Sequence, residues 1–224
     1  MSKLSDARGV RRVTAAIGLV GFSVLLVVQD VADSSAGAGF YDTAVAHPSQ
    51  MTVSALILLV SAILTVPAIG AIIHQARDRG ATLAHLGALF TLLGAMGHMG
   101  LTTVELVMRS LAGGDPAQMR AFEDRLNADP PIMLFFVLLS SFGIGLTLLA
   151  WAAWRAGLIG WWGPALITTV AVAHMVLPED LPAVVSLVAL SAIAVVFGWL
   201  GIRTLRLSNA DWEGAAAVPA RVSV

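Results

Sequence analysis

The chain has no cysteine, one lysine (Lys3) and one tyrosine (Tyr41). Without cysteine there are no disulfides, no thiolate metal sites and no cysteine nucleophile. Charged residues make up 12% of the 224 positions, about half the share of a soluble domain. So little polar surface leaves lipid as the main solvent. The formal net charge is −1, so the basic excess that a nucleic-acid partner requires is missing. The sequence lacks a Gly-rich phosphate loop ending in Lys and Ser/Thr, a His-Glu-x-x-His pair and a Gly-x-Ser-x-Gly elbow. No span carries two inward-facing acids, so a proton-coupled carrier would have no relay. No stretch alternates with period two, which leaves strands out.

What is present is apolar helix. Hydrophobic residues reach 58%, and a hydrocarbon core of about 30 Å needs roughly 20 of them in one helix. Six segments qualify: Val13–Val31, Thr52–Ile73, Thr82–Met108, Ile132–Trp154, Leu158–Leu177 and Ala183–Arg203. The expected fold is all-α, a polytopic integral membrane helical bundle of six transmembrane helices spanning residues 1–207. Residues 208–224 read as a disordered cytoplasmic tail. Pro67 predicts a kink in the second span.

The first span also has the outline of a secretory signal, with Lys3, Arg8, Arg11 and Arg12 before it and Ala36-Gly37-Ala38 after it. Its apolar stretch is longer than such signals use, so the expectation is a retained span.

Charge gives sidedness. Lys3, Arg8, Arg11, Arg12, Arg77, Arg79, Arg155, Arg203, Arg206 and Arg221 fall on one side of a six-span chain. Arg109, Arg120 and Arg125 fall on the other. The positive-inside bias places both termini in the cytoplasm, N-in/C-in. Trp151, Trp154, Trp161, Trp162 and Trp199 cluster at the inner interface as an aromatic belt would. Ten acids, among them Asp42, Glu105, Asp115, Glu123, Glu179 and Asp180, fall on the outer side. Arginine in place of lysine, with abundant Ala and Gly, suggests a GC-rich bacterial genome and hence the cell inner membrane. The partner this composition demands is the lipid bilayer. A protein partner or homo-oligomer is compatible with it.

The outer loop from Arg109 to Pro131 predicts a helix of its own. Asp115 can cap it with Pro116 at its first position. Met119, Phe122 and Leu126 share one face, while Arg120, Glu123 and Asp124 point away. The plain expectation is an interfacial helix; the functional one is a lid.

A shift of 76 residues superposes Arg79 on Arg155, Gly87 on Gly163 and His98-Met99 on His174-Met175. A parallel repeat would produce this. Each His follows its Arg by 19 residues, roughly 28 Å along a helix, which sets both near the outer edge of the hydrocarbon. Glu105 then reads as an exposed interfacial pair with Arg109. Gly87, Thr91, Gly94, His98, Thr102, Glu105 and Arg109 form one small and polar stripe that should face other helices.

Candidate chemistry centres on His98 and His174 as cofactor or metal ligands, with Met99 and Met175. Thioether and imidazole suit copper(I), and two His could clamp a haem. Seven methionines besides Met1 all fall in the outer half, although methionine also serves as adaptable core filling. His47 and Asp42 could join such a site. His74 and His85 read as interfacial residues, and Glu179-Asp180 as a solvated turn.

Three functions follow. The sparse polar residues favour a structural or partner-binding protein without chemistry of its own. The second is an outward-facing haem or copper protein, and the third an enzyme or carrier for a lipidic molecule.

Overall fold

The structure is a computed structural model that describes residues 7–32, 39–176 and 183–214, without the side chains of residues 136, 174–176 and 183. Every regular element among the described residues is an α-helix. In order they are α1 (Ala7–Ala32), α2 (Phe40–Ala46), α3 (Pro48–Gln75), α4 (Ala81–Ser110), α5 (Pro116–Ala128), α6 (Pro130–Arg155), α7 (Trp162–Val176), α8 (Ala183–Arg206) and α9 (Asn209–Gly214).

Local chemistry sets many of the boundaries. Proline opens α3, α5 and α6, where its missing N–H has no helical acceptor anyway. Gly80, at φ +102, makes the left-handed turn between α3 and α4 that a side chain would strain. The helix of α3 runs unbroken through Pro67.

Among the described residues five helices are long and apolar enough to cross a membrane: Ala7–Ala32, Pro48–Gln75, Ala81–Ser110, Pro130–Arg155 and Val184–Arg206. The span read as 158–177 starts later than expected, because Gly157 turns the chain at φ +72 and helix begins at Trp162, continuing to Val176 at the edge of the described residues.

The long helices and α7 pack in a ring, α1–α3–α4–α6–α7–α8 and back to α1. Their shared core holds Leu19, Phe22, Ile69, Ile72, Leu146, Leu149, Ile167, Val196 and Phe197. Phe22 and Phe197 meet edge to face at 5.3 Å, the arrangement that ring quadrupoles favour. Side chains that small residues leave out let backbones touch. A Cβ on Gly94 would fall 2.6 Å from the Phe142 backbone, and one on Gly18 would fall 2.7 Å from the Ala68 nitrogen. In the expected stripe Gly87, Thr91, Gly94, Thr102 and Glu105 are indeed buried.

The two ends of the bundle differ. At one end, the arginine end, Arg12 donates to the Leu205 and Leu207 carbonyls at 2.6 and 2.5 Å. Arg203 donates there to the carbonyls of Gly157 and Leu158, and Arg155 lies beside the Gly80 turn. The segment after α8 continues as α9 to Gly214, and the rest of the expected disordered tail, 215–224, lies outside the described residues. Ser208 and Asp211 exchange side-chain and backbone hydrogen bonds as a capping box. Trp212 is then buried against His74, with ring centres 4.4 Å apart and the Trp212 carbonyl accepting from His74 Nε2 at 2.8 Å. At the opposite end, the cap end, Ser186 Oγ donates to Asp30 at 2.5 Å, and α2 and α5 lie across α3, α4 and α6.

Candidate functional site

The cap is built around α5. Asp115 accepts from the Gln118 N–H at 3.0 Å, the cap that the sequence predicts. Met119, Phe122 and Leu126 turn inward onto a small core of Tyr41, Ala44, Met51 and Met108. Arg120 reaches out to Asp42 at 2.9 Å, with its guanidinium 6.0 Å from the centre of the Tyr41 ring. Glu123 does not point away, as expected. Its two carboxylate oxygens accept from the N–H groups of Phe40 at 2.6 Å and Tyr41 at 3.2 Å, the orphan donors at the start of α2.

Glu105 is a second departure. Its side chain is only 7% exposed, while Arg109 one turn on is exposed. Glu105 is therefore enclosed where exposure was expected, near the level at which Tyr41 and Ala44 of α2 pack with Val104 and Met108 of α4. Helix α2 lies outside the reach of any i,i+4 argument, so this cover was not legible from α4 alone.

His98 stands on α4 with its Nδ1–H donated to the Gly94 carbonyl at 2.9 Å and its ring edge-on to Phe142, centres 4.7 Å apart. This arrangement leaves Nε2 as the nitrogen with a free lone pair. Met99 is exposed beside it. The side chains of His174 and Met175 lie outside the described residues. Among the described residues no group of three or more His, Cys, Asp or Glu could hold a metal ion. His47 is exposed at the α2–α3 junction, and Asp42 is engaged by Arg120.

The methionines divide by role. Met51 and Met108 are buried under the cap with Met119 against them. Met96, Met99 and Met133 face outward at 56, 38 and 46% exposure.

Met96 and Met99 border a groove of about 430 Å³ between α4 and α6. Gly97, Gly100, Leu101, Val104, Ile132, Phe135 and Leu139 complete it, with Thr103 as the one hydroxyl. That hydroxyl is already spent on the Met99 carbonyl at 2.9 Å. Residues 131–138 of α6 have no buried side chain among those described, so the groove opens sideways toward whatever solvates the bundle. Sequence reasoning did not find it. Its signal is the second face of α4, where Met96, Gly100 and Thr103 recur at helical spacing opposite the polar stripe.

Comparison with known proteins returns no matching family model, no matching curated protein and no matching solved structure.

Proposed function

We propose that this chain is a six-span bacterial inner-membrane protein, N-in/C-in, that holds the hydrocarbon chain of a lipidic molecule in the groove between α4 and α6. The observation that carries the reading is the groove itself. At about 430 Å³ it falls within the usual size of a ligand site, and it is lined by carbon, methionine sulfur, backbone and the one hydroxyl of Thr103, which is bonded to its own helix. With no polar anchor, recognition rests on the chain and leaves the headgroup outside. Exposed Met96 and Met99 suit this use, since an unbranched thioether adapts to flexible apolar partners.

The six-span reading has support in the connectivity. Helix α6 ends at the arginine end, where Leu158 meets Arg203. Helix α8 begins at the cap end, where Ser186 meets Asp30. A crossing between these two points supports the sixth span, and α7 is the described helix on that path. The charge bias places the arginine end in the cytoplasm. Single cysteines at Arg79 and Gly113, introduced into this cysteine-free chain, are expected to react with an impermeant maleimide from opposite faces of the membrane. Reaction from the same face would reject the topology.

For the groove, a lipid with a photoactivatable acyl chain is expected to label Met96, Met99 and Phe135 above the lipid-facing background at Val53 and Val60. In Gly100→Leu, whose Cβ already meets the Phe135 ring at 2.8 Å, the new side chain fills the groove. Labelling there should fall about tenfold, the effect of displacing roughly two methylenes of contact. Uniform labelling, unchanged by Gly100→Leu, would sink the lipid reading.

A further inference from the structure

Helix α5 is joined to its two neighbours unequally. Asp129 both closes α5 and opens α6, so one residue separates the two helices. On the other side, α5 meets α4 through 111–115, which includes Gly113 and Gly114. A Cβ on Gly113 would touch nothing within 4 Å. The link to α6 is thus the shorter of the two, and any tilt of α5 is handed to the first turns of α6. Those turns carry Ile132 and Phe135, one wall of the groove. Residues 131–138 of α6 carry no buried side chain among those described; there α6 meets α4 through Phe135, against Gly97 and Gly100, and the next contact is Leu139 on Gly97. Val104 of α4 ties the two regions together, since it lines the groove and also packs on the core under the cap.

Two polar contacts hold α5 to α2. The exposed Arg120–Asp42 pair contributes little, because water and salt screen it. The Glu123 carboxylate is different. It accepts two charge-assisted hydrogen bonds from backbone N–H groups that have no other acceptor.

We infer that Glu123 is the latch of a lever: on α2 it holds α5 down and the outer turns of α6 against α4, and its release swings those turns away and widens the groove. The inference rests on the lipid reading for its purpose, since a groove that admits no chain needs no control. Its mechanics are tested separately, in lipid-free detergent, so that a failure of lipid labelling and a failure of the lever give different results.

In Met119→Cys, the cysteine replaces a side chain packed under the cap and should react slowly with a maleimide. Adding Glu123→Ala is expected to raise the rate about tenfold, the population shift that loss of roughly 1.4 kcal/mol produces. Arg120→Ala should raise it less. Spin labels at Ser110 and Met133, both exposed, should report a longer and broader distance in Glu123→Ala than in the parent. A thermal midpoint matching the parent shows that the bundle itself stays folded, as α5 lies outside the spans. Unchanged maleimide rates, or faster rates with an unchanged spin-label distance, would overturn the lever.

Discussion

Gly145→Ala is expected to destabilise the bundle by about 2–3 kcal/mol, the upper part of the range for overpacked cores. The Cβ would sit 2.3 Å from both the nitrogen and Oγ1 of Thr91. Thr91 has no exposed surface, and its hydroxyl is bonded to the Gly87 carbonyl at 2.7 Å. Neither group can swing aside, so α4 and α6 must separate along the crossing. Gly94→Ala should act the same way, since its Cβ would meet the Phe142 backbone. Gly70→Ala is the control: nothing lies within 4 Å of its Cβ, and alanine favours a helix over glycine by about 0.5–1 kcal/mol. Reversible unfolding in detergent would measure all three. Equal stabilities for Gly145→Ala and Gly70→Ala would refute the account of the α4–α6 contact.

The second large effect is expected at Arg12. A basic residue ahead of an apolar stretch is ordinarily solvated, yet here it is 8% exposed and donates to two carbonyls at the end of α8. Those carbonyls have no helical donor of their own, and the C-terminal dipole of α8 favours a cation beside them. Arg12→Ala should cost about 2–3 kcal/mol, in line with hydrogen bonds to charged groups. Arg12→Lys should recover part of it, because an ammonium keeps the charge without the planar fork. The same contact bears on whether α1 is retained. Its residues Leu19 and Phe22 are fully enclosed between α3 and α8, so removal of α1 would open the core on two sides. The protein isolated from membranes should therefore include residues 7–32. An N-terminus beyond residue 38 would sink this expectation.

The parts of this protein that were legible in advance are those set by neighbours in sequence. A run of apolar residues without charge makes a span in lipid because the helix satisfies its own backbone. Asp115 followed by Pro116 starts α5 because cap and helix lie within one turn. The facing of Met119, Phe122 and Leu126 follows from the 3.6-residue repeat alone. Even α9 had a local signature, the Ser208 and Asp211 capping box, although the alanine-rich residues after it masked it. The distribution of Arg separates two ends for the same reason: it needs only the order of the spans.

What remained hidden depends on where one helix lies against another. Glu123 finds its N–H donors 82 and 83 residues away, and His74 finds Trp212 at a separation of 138. Glu105 is enclosed by an element that its own helix does not specify. The groove exists because Met96, Gly97, Gly100 and Val104 of α4 come to face Ile132, Phe135 and Leu139 of α6, a pairing set by two helices together. Composition and periodicity thus determined a bundle of apolar helices whose charged ends stay out of lipid because burying an ion there costs too much. Crossing angles and distant contacts decided which polar groups are buried, which are latched and where a chain could enter, since those follow from packing in three dimensions.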